Sequence, residues 1–171
     1  EYDHFWLSDT PNVIASTTWG HSNRRMVTWI RFLDRNTKKQ FYFWNTHFDH
    51  RVQPAREKAA LLVNKKVAAL KTKLPILLVG DFNASAGMNK AYDTLVKDGG
   101  FTDTLLSAKK AINAEWNTMN GFRPVRKGAR RIDWVLAKGA VKTSEAEILL
   151  YDGSKQSPSD HQPVTATITL E

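Results

Sequence analysis

The chain has 171 residues, 42% hydrophobic and 25% charged, as expected for one globular domain with a core. The formal net charge of +8 attracts polyanions such as nucleic acid, although a solvated lysine-rich surface would give the same value. The absence of cysteine excludes a thiolate nucleophile, a cysteine zinc site and disulfides. No apolar run approaches the roughly 20 residues of a membrane span, and residues 1–10 lack the features of a signal peptide.

The first predicted elements are two strands and a helix. Residues 25–32 and 40–46 are rich in β-branched and aromatic side chains and are separated by turn-forming residues, which predicts a hairpin. Residues 54–74 then place apolar side chains at helical spacing, and Pro75 is expected to end that helix. The apolar run 76–79 before Gly80 is typical of a strand covered on both faces.

Later segments continue this alternation. Residues 89–97 predict a short helix that stops at two glycines, and residues 131–137, 145–151 and 164–170 predict strands. The fold class is therefore α/β (α+β), with helices packed on a sheet. Residues 116–127 form an irregular basic stretch long enough to have a function.

Four short polar segments each follow or begin an apolar strand, where side chains from several strands can converge on one cleft. They are Asn45-Thr46-His47-Phe48-Asp49-His50, Gly80-Asp81-Phe82-Asn83, Arg131-Ile132-Asp133 and Ser159-Asp160-His161.

In the last segment Asp160 directly precedes His161, and adjacent side chains point in different directions. Asp160 can then bind a hard cation while His161 faces a phosphate and Asp133 orients the imidazole. The structural alternative is an ordinary turn with a capping aspartate and a surface histidine.

Asp81 and Asn83 are two residues apart and share a face if the chain is extended. The carboxylate can orient a water, and the amide can donate to phosphate oxygen or bind metal through its carbonyl. An Asx turn is the alternative. By the same alternation His47 and Asp49 share a face, His50 points the other way, and His47 is placed to donate to charge developing on phosphate oxygen.

Together these motifs resemble, in identity and order, the successive signatures of the endonuclease/exonuclease/phosphatase (DNase I-like) superfamily. The resemblance implies a four-layer α/β/β/α sandwich and a metal-dependent phosphoester hydrolase. It also implies roles for the matching residues. The implied catalytic residues are His47, Asp81, Asn83, Asp133 and His161, and the implied metal ligands are Asp160, Asp81 and Asn83, holding Mg²⁺ or Mn²⁺.

The family's principal metal ligand is a glutamate in its first half, and no glutamate of this chain stands in a matching context. Residues 1–171 are thus expected to be the C-terminal portion of a single domain. A missing N-terminal half, on a companion chain or the same polypeptide, would cover an otherwise exposed apolar sheet face. The opening residues 5–11 are similar to a bacterial branch that is often exported, which favours a secreted or periplasmic location.

Phosphate contacts are expected from arginines, of which Arg25 is best placed at the start of a strand. The predicted set is Arg25, Arg51, Asn117 and Arg130, and Arg24, Arg126 and Arg131 are further candidates.

Positive charge favours a nuclease or phosphodiesterase that acts on nucleic acid. A phosphatase or phosphodiesterase for small molecules or phospholipid headgroups is the alternative within the family. From a different class, a catalytically inert fragment that binds single-stranded nucleic acid through charge and aromatic stacking remains a hypothesis.

Overall fold

A computed structural model describes residues 1–128, 130–151 and 158–171. A six-stranded sheet has the strand order β1-β2-β3-β4-β7-β5, and a three-stranded sheet has the order β6-β8-β9. The strands are β1 (Tyr2–Trp6), β2 (Met26–Leu33), β3 (Gln40–His47), β4 (Ile76–Asp81), β5 (Thr102–Asp103), β6 (Lys110–Ile112), β7 (Asp133–Lys138), β8 (Val141–Ile148) and β9 (Val164–Leu170). The helices are α1 (Gln53–Ala69), α2 (Lys90–Asp93) and α3 (Thr104–Ser107).

The predicted hairpin is confirmed as the antiparallel pair β2 and β3. Its alternating pattern buries Val27, Tyr42 and Trp44 on the side that packs against the helices. Strand β1 pairs with the outer edge of β2 and was not predicted. Its first three residues are exposed, and its two apolar residues Phe5 and Trp6 are adjacent, so it lacks the hydrophobic alternation of a half-buried strand.

The predicted helix is confirmed as α1, which connects the parallel strands β3 and β4 and buries small side chains against the sheet. Its predicted end was wrong, because the helix stops at Ala69 rather than at residue 74. Lys71 has a φ of +46°, a left-handed conformation that ends the helix several residues before the proline. Pro75 excludes helical geometry from the residue before it but does not fix where the helix ends.

Two other boundaries differ from expectation. The helix expected at 89–97 begins as α2, with the Asn89 side chain accepting from Ala91 N, and continues as a π-helical turn at Thr94–Asp98. Strand β8 begins four residues before the predicted segment 145–151 and ends three before its end. Its first half alternates with the exposed residues Lys142 and Ser144, so the hydrophobic signal there is weak. The predicted strands β4, β7 and β9 are confirmed with small changes in their ends.

The strand order brings the ends of three strands together. Strands β3 and β4 are parallel, and β7 is antiparallel to β4. His47 is therefore the direct neighbour of Asp81, and Asp81 is the direct neighbour of Asp133. The sheet register alone places a histidine and two carboxylates side by side at one edge of the core.

A buried charge network holds the start of β7. Arg131 Nη2 donates to Asp103 Oδ2 at 2.6 Å, and Tyr92 Oη donates to the same oxygen at 2.8 Å. Burial, together with the charge of Asp103, raises the pKa of Tyr92 to about 12. Arg131, one of the candidate phosphate contacts, is therefore held in a buried ion pair within the fold.

The sheet face that points away from the helices is only partly covered by described residues. Ile30 is 36% exposed and Phe32 is 42% exposed on this face. A cavity of about 660 Å³ separates Phe32, Phe41 and Leu77 from the last residues of β9. Among the described residues, no helix is long and apolar enough to cross a membrane.

Gly80 permits the close approach of β4 to β3 just before Asp81. Its φ is +144°, and a Cβ at this position would overlap the main-chain oxygen of Thr46. Only glycine combines this backbone conformation with the missing side chain. Gly80 therefore allows Asp81 to reach the strand end that it occupies.

We expect Gly80→Ala to reduce the free energy of unfolding by about 3–5 kcal/mol, from backbone strain and overlap together. Gly87→Ala is the matched control, since Gly87 has a φ of +72° but no atom near its Cβ position. Its expected loss is about 1–2 kcal/mol. Urea denaturation of both variants measures the difference, and equal losses would show that the overlap with Thr46 is unimportant.

Candidate active site

The four polar segments meet in one open pocket of about 640 Å³ at the strand ends. Each predicted catalytic residue and each predicted metal ligand lines it. The lining residues are Asn23, Arg25, His47, His50, Asp81, Asn83, Met119, Asp133, Asp160 and His161.

The shortest contact between two candidate catalytic side chains joins His161 and Asp133. His161 Nδ1 lies 2.8 Å from Asp133 Oδ2, and both side chains are about one-fifth to one-quarter exposed. The hydrogen bond to Asp133 is the main cause that raises the pKa of His161, and together with the charges of Asp133, Asp81 and Asp160 it outweighs the opposing effect of burial. Since Nδ1 is engaged, Nε2 is the ring nitrogen available for proton transfer.

Asp81 lies between the two histidines. Its Oδ2 is 3.2 Å from His47 Nε2 and 4.0 Å from His161 Nε2. Burial alone would raise the pKa of Asp81, but hydrogen bonds from His47 and the main-chain N–H of Asn83, with the nearby imidazoles, lower it. Asp81 is therefore held as a carboxylate facing the same space as His161 Nε2.

Asn83 lies beside Asp81, but the chain between them is not extended as predicted. Asn83 has a φ of +48°, and its main-chain N donates to Asp81 Oδ1 at 2.8 Å. The segment is thus both an Asx turn and part of the pocket. The Asn83 NH₂ group donates to Phe48 O and to Asp81 Oδ2, an arrangement that leaves its carbonyl oxygen for other partners.

The predicted alternation after His47 was wrong because β3 ends there. His50, expected to point the other way, lines the pocket, and its Nδ1 lies 3.4 Å from an Arg25 guanidinium nitrogen. Asp49, expected to share the face of His47, is only 4% exposed. Its Oδ1 accepts from Arg51 N and Val52 N, and it thereby fixes the turn that leads into α1.

Arg25 is positioned to meet an anion in the pocket. It follows the loop from β1, lines the pocket beside His47 and Asn83, and has a buried Nε without a hydrogen-bond partner among the described residues. Burial is the main cause that lowers its pKa, while the charges of Asp49 and Asp81 act in the opposite direction. A guanidinium group this close to two carboxylates remains protonated.

The carboxylates of the pocket are suited to a divalent cation. Ligand atoms of Asp81, Asp133 and His161 lie within 4.8 Å of one another. Carboxylate oxygens are the preferred ligands of Mg²⁺, and the predicted ligand Asp160 lines the same pocket outside this group. The donor set therefore fits a hard metal ion, with the Asn83 carbonyl as a further oxygen.

Three predicted phosphate contacts lie outside this pocket. Arg51 is exposed, and its main chain donates to Asp49. Asn117 and Arg130 line a separate, smaller cavity in the loop before β7. Sequence reasoning missed Asn23, Met119 and the position of His50. No local pattern identifies the first two, because both lie in irregular loops and enter the pocket through tertiary packing.

The comparisons agree with this geometry. The chain belongs to the endonuclease/exonuclease/phosphatase family, whose sequence model matches residues 4–161. Mannosyl-6-phosphatase from Bacteroides thetaiotaomicron is 30% identical, with a TM-score of 0.90 over 99% of this chain and 66% of that chain. A second family protein from the same organism is 30% identical, with a TM-score of 0.88. The match covers 100% of this chain and 65% of that chain.

More distant structures share the fold. The catalytic domain of human Nocturnin is 18% identical, with a TM-score of 0.71, all of this chain and 59% of that chain covered. An uncharacterized protein of Acanthamoeba polyphaga mimivirus, L388, is 34% identical over 93 residues, 53% of this chain and 34% of the viral protein. The chain thus spans about two thirds of the bacterial structures and about one third of the viral protein. The predicted α+β fold of DNase I-like proteins is confirmed.

The Asp133–His161 bond predicts a pH-dependent stability. Because the pKa of His161 in the folded protein exceeds its ordinary value of about 6.5, its charged form stabilises the fold fully below that pH. This contribution is lost as the pH rises through the folded-state pKa. Asp133→Asn should therefore lower the pKa of His161 and destabilise the metal-free protein more at pH 5 than at pH 9.

NMR titration of the imidazole and urea denaturation at both pH values measure these two effects. Asp3→Asn is the control, because Asp3 stands beside His4 in an exposed pair at 3.9 Å. The control should show little pH-dependent change. A His161 pKa that is the same with and without the Asp133 carboxylate would contradict the assigned pairing.

Proposed function

We propose that the protein is a divalent-metal-dependent phosphoester hydrolase in which His161 and Asp133 activate a water. The observation that carries this proposal is the 2.8 Å pair of His161 and Asp133 in the same pocket as Asp81 and His47. A general base needs a free ring nitrogen and a partner that fixes its tautomer, and this pair supplies both. Family membership supports the same reaction class.

In this proposal His161 Nε2 accepts the proton of the attacking water. Asp133 keeps the Nδ1 proton in place and stabilises the imidazolium that results. The Asp81 carboxylate, 4.0 Å from Nε2, accepts a hydrogen bond from the same water and orients it toward phosphorus. Water attacks in line with the departing alkoxide, so no phosphoenzyme is formed.

Arg25 and His47 line the same pocket and are the candidates for binding the phosphate. The Arg25 guanidinium would bind the phosphate oxygens. His47 would exchange its 3.2 Å contact with Asp81 for a hydrogen bond to the oxygen on which charge develops. Asp81, Asp160 and the Asn83 carbonyl would hold the ion, with Asp133 near enough to contribute. When bound, Mg²⁺ or Mn²⁺ would neutralise a phosphate oxygen and the departing alkoxide.

Two substrate classes are supported by different observations. The net charge of +8 favours nucleic acid, which was the first expectation. The similarity to a mannosyl-6-phosphatase at a TM-score of 0.90 favours a sugar phosphate, the small-molecule alternative. Hydrolysis of a phosphodiester and of a phosphomonoester by the same enzyme separates these two candidates.

We also propose that an upstream segment completes the site, as the absence of a matching glutamate suggests. Two observations support it: the partly exposed face at Ile30 and Phe32, and the third of the bacterial structures that this chain does not cover. Such a segment would supply the family's principal metal ligand and cover the apolar face. It belongs to the same polypeptide or to a companion chain.

The function is tested with single- and double-stranded DNA, RNA, bis-p-nitrophenyl phosphate and mannose 6-phosphate, with and without Mg²⁺. His161→Ala should lower kcat by about 10²–10⁴-fold, the usual contribution of a general base. His4→Ala is the matched control, since His4 lies on β1 outside the pocket. Metal-dependent turnover that survives in His161→Ala would overturn the assigned base, and binding of DNA without turnover would favour the inert binding fragment.

The upstream segment is tested by comparing residues 1–171 alone with the full-length protein. We expect turnover only when the segment is present and weaker Mg²⁺ binding when it is absent. We also expect Ile30 and Phe32 to become protected from solvent in its presence. Equal kcat and equal Mg²⁺ affinity for the two forms would contradict this proposal without affecting the assignment of His161.

A further inference from the structure

A second cavity of about 150 Å³ lies next to the active-site pocket. It is formed by the loop before β7, and Met119 lines both spaces. The remaining residues around it are polar, basic or conformationally stiff. They are Asn117, Asn120, Arg123, Pro124, Arg126 and Arg130. We call this space the arginine cavity.

The arginine cavity is fixed to the segment that carries the proposed base. Asn120 N and Gly121 N both donate to Asp160 O, and Gln162 N donates to Thr118 O. Met119 and His161 also form an isolated β-bridge. These bonds flank His161 on both sides, so a ligand in the arginine cavity is held at a defined position relative to the reacting phosphate.

Hydrogen bonds within the loop fix the backbone of the residues that line the arginine cavity. Asn117 Oδ1 accepts from Arg130 N at 2.9 Å, and Asn117 N donates to Arg126 O at 2.8 Å. Gly128 has a φ of +154°, and a Cβ there would come within 3.2 Å of Asn117 Oδ1. Asn117, predicted to contact phosphate, thus supports the cavity from its side.

The charge of the arginine cavity is uncompensated within the described part of the chain. There, no carboxylate lies within 4.0 Å of Arg123, Arg126 or Arg130. The neighbouring Lys127 differs, because its Nζ lies 3.0 Å from Glu115 and 5.5 Å from the centre of the Trp116 ring. One cation of the loop is therefore paired away from the cavity, while three guanidinium groups are left for an external anion.

We propose that the arginine cavity binds a second anionic group, a phosphate or sulfate, of the substrate whose phosphoester is cleaved at His161. Guanidinium groups match such oxyanions in geometry and charge. This inference rests on the proposed function and narrows its substrate class to phosphoesters that carry another anionic group. The second anion comes either from the next phosphate of a nucleotide chain or from another phosphate of a small molecule.

The test compares substrates that differ only in the second anion. One pair is thymidine 5′-(p-nitrophenyl phosphate) with and without a 3′-phosphate, and the other is mannose 1,6-bisphosphate and mannose 6-phosphate. In the full-length protein Arg126→Gln should raise KM for the doubly charged member about 10–100-fold more than for its partner, because a charge-assisted hydrogen bond is lost. Lys127→Gln, which removes the same charge from the same loop, should leave this ratio unchanged.

For each pair, the effect of Arg126→Gln is the increase in KM for the doubly charged member divided by the increase for its partner. The pair with the larger value of this ratio identifies the source of the second anion. If Arg126→Gln raised KM equally for both members of each pair, the proposal that the arginine cavity binds the second anion would be contradicted. The hydrolase proposal would not be affected. A second variant, Arg123→Gln, should reproduce the change in ratio. If it and Arg126→Gln both leave the ratio unchanged, the proposal fails.

A binding measurement separates the two proposals when no substrate is turned over. Isothermal titration of pyrophosphate into the metal-free His161→Ala protein should show binding that weakens about tenfold or more with the added Arg126→Gln change and not with Lys127→Gln. Such a result would support anion binding in the arginine cavity even if the hydrolase proposal failed. Binding that is insensitive to Arg126 would reject the cavity independently of catalysis.

Discussion

The hydrogen bond between Asp133 and His161 depends on correct packing of the two sheets. Asp133 begins β7 in the six-stranded sheet, whereas His161 lies just before β9 in the three-stranded sheet. At 2.8 Å the two side chains tolerate little relative displacement. The buried bond from Arg131 to Asp103 anchors one side of this pair, and the bonds from Thr118 and Asp160 to neighbouring segments anchor the other. The site is therefore a product of the whole fold rather than of one motif.

Several polar residues of the motifs hold the backbone as well as facing the pocket. Asp81 accepts from Asn83 N while it contacts His47, and the Asn83 NH₂ group donates to Phe48 O beside the pocket. The structural and chemical explanations of such motifs are thus not exclusive. A turn held by a carboxylate lowers the pKa of that carboxylate, because main-chain N–H groups favour its charged form. Local structure and the ionisation state required for chemistry are set by the same hydrogen bonds.

Elements with a strong hydrophobic period could be predicted from the sequence, and elements defined by tertiary pairing could not. The hairpin of β2 and β3 and the helix α1 carry apolar side chains at a regular period, and β4 is a continuous apolar run that is buried on both faces. The short strands β5 and β6 consist of two and three residues and exist only because neighbouring strands accept them. The early end of α1 at Ala69, followed by the left-handed Lys71, likewise follows from the path back to β4, which local propensity does not encode.

The active-site residues likewise differ in whether regular secondary structure or an irregular turn positions them. His47, Asp81, Asp133 and His161 could be predicted to meet because each lies at a strand end or beside one. The sheet register aligns the first three, and His161 reaches them from the segment before β9. His50 could not, because alternation was extended past the last residue of β3 into a turn.

Charge illustrates why composition alone is a weak guide to substrate. Among the basic residues, Arg131 is buried in an ion pair, Lys127 is paired with Glu115, and Arg25 faces the pocket. Each of these three residues adds one positive charge to the formal net charge of +8. Of the three, only Arg25 lines the active-site pocket, where it can meet an anion. Arg131 differs from Arg25 because its guanidinium donates directly to a buried carboxylate, whereas Arg25 has no such ion pair among the described residues. The three arginines of the loop that adjoins Asp160 differ from Arg131 and Lys127 in this respect, because they line a cavity beside the active-site pocket and have no carboxylate partner among the described residues.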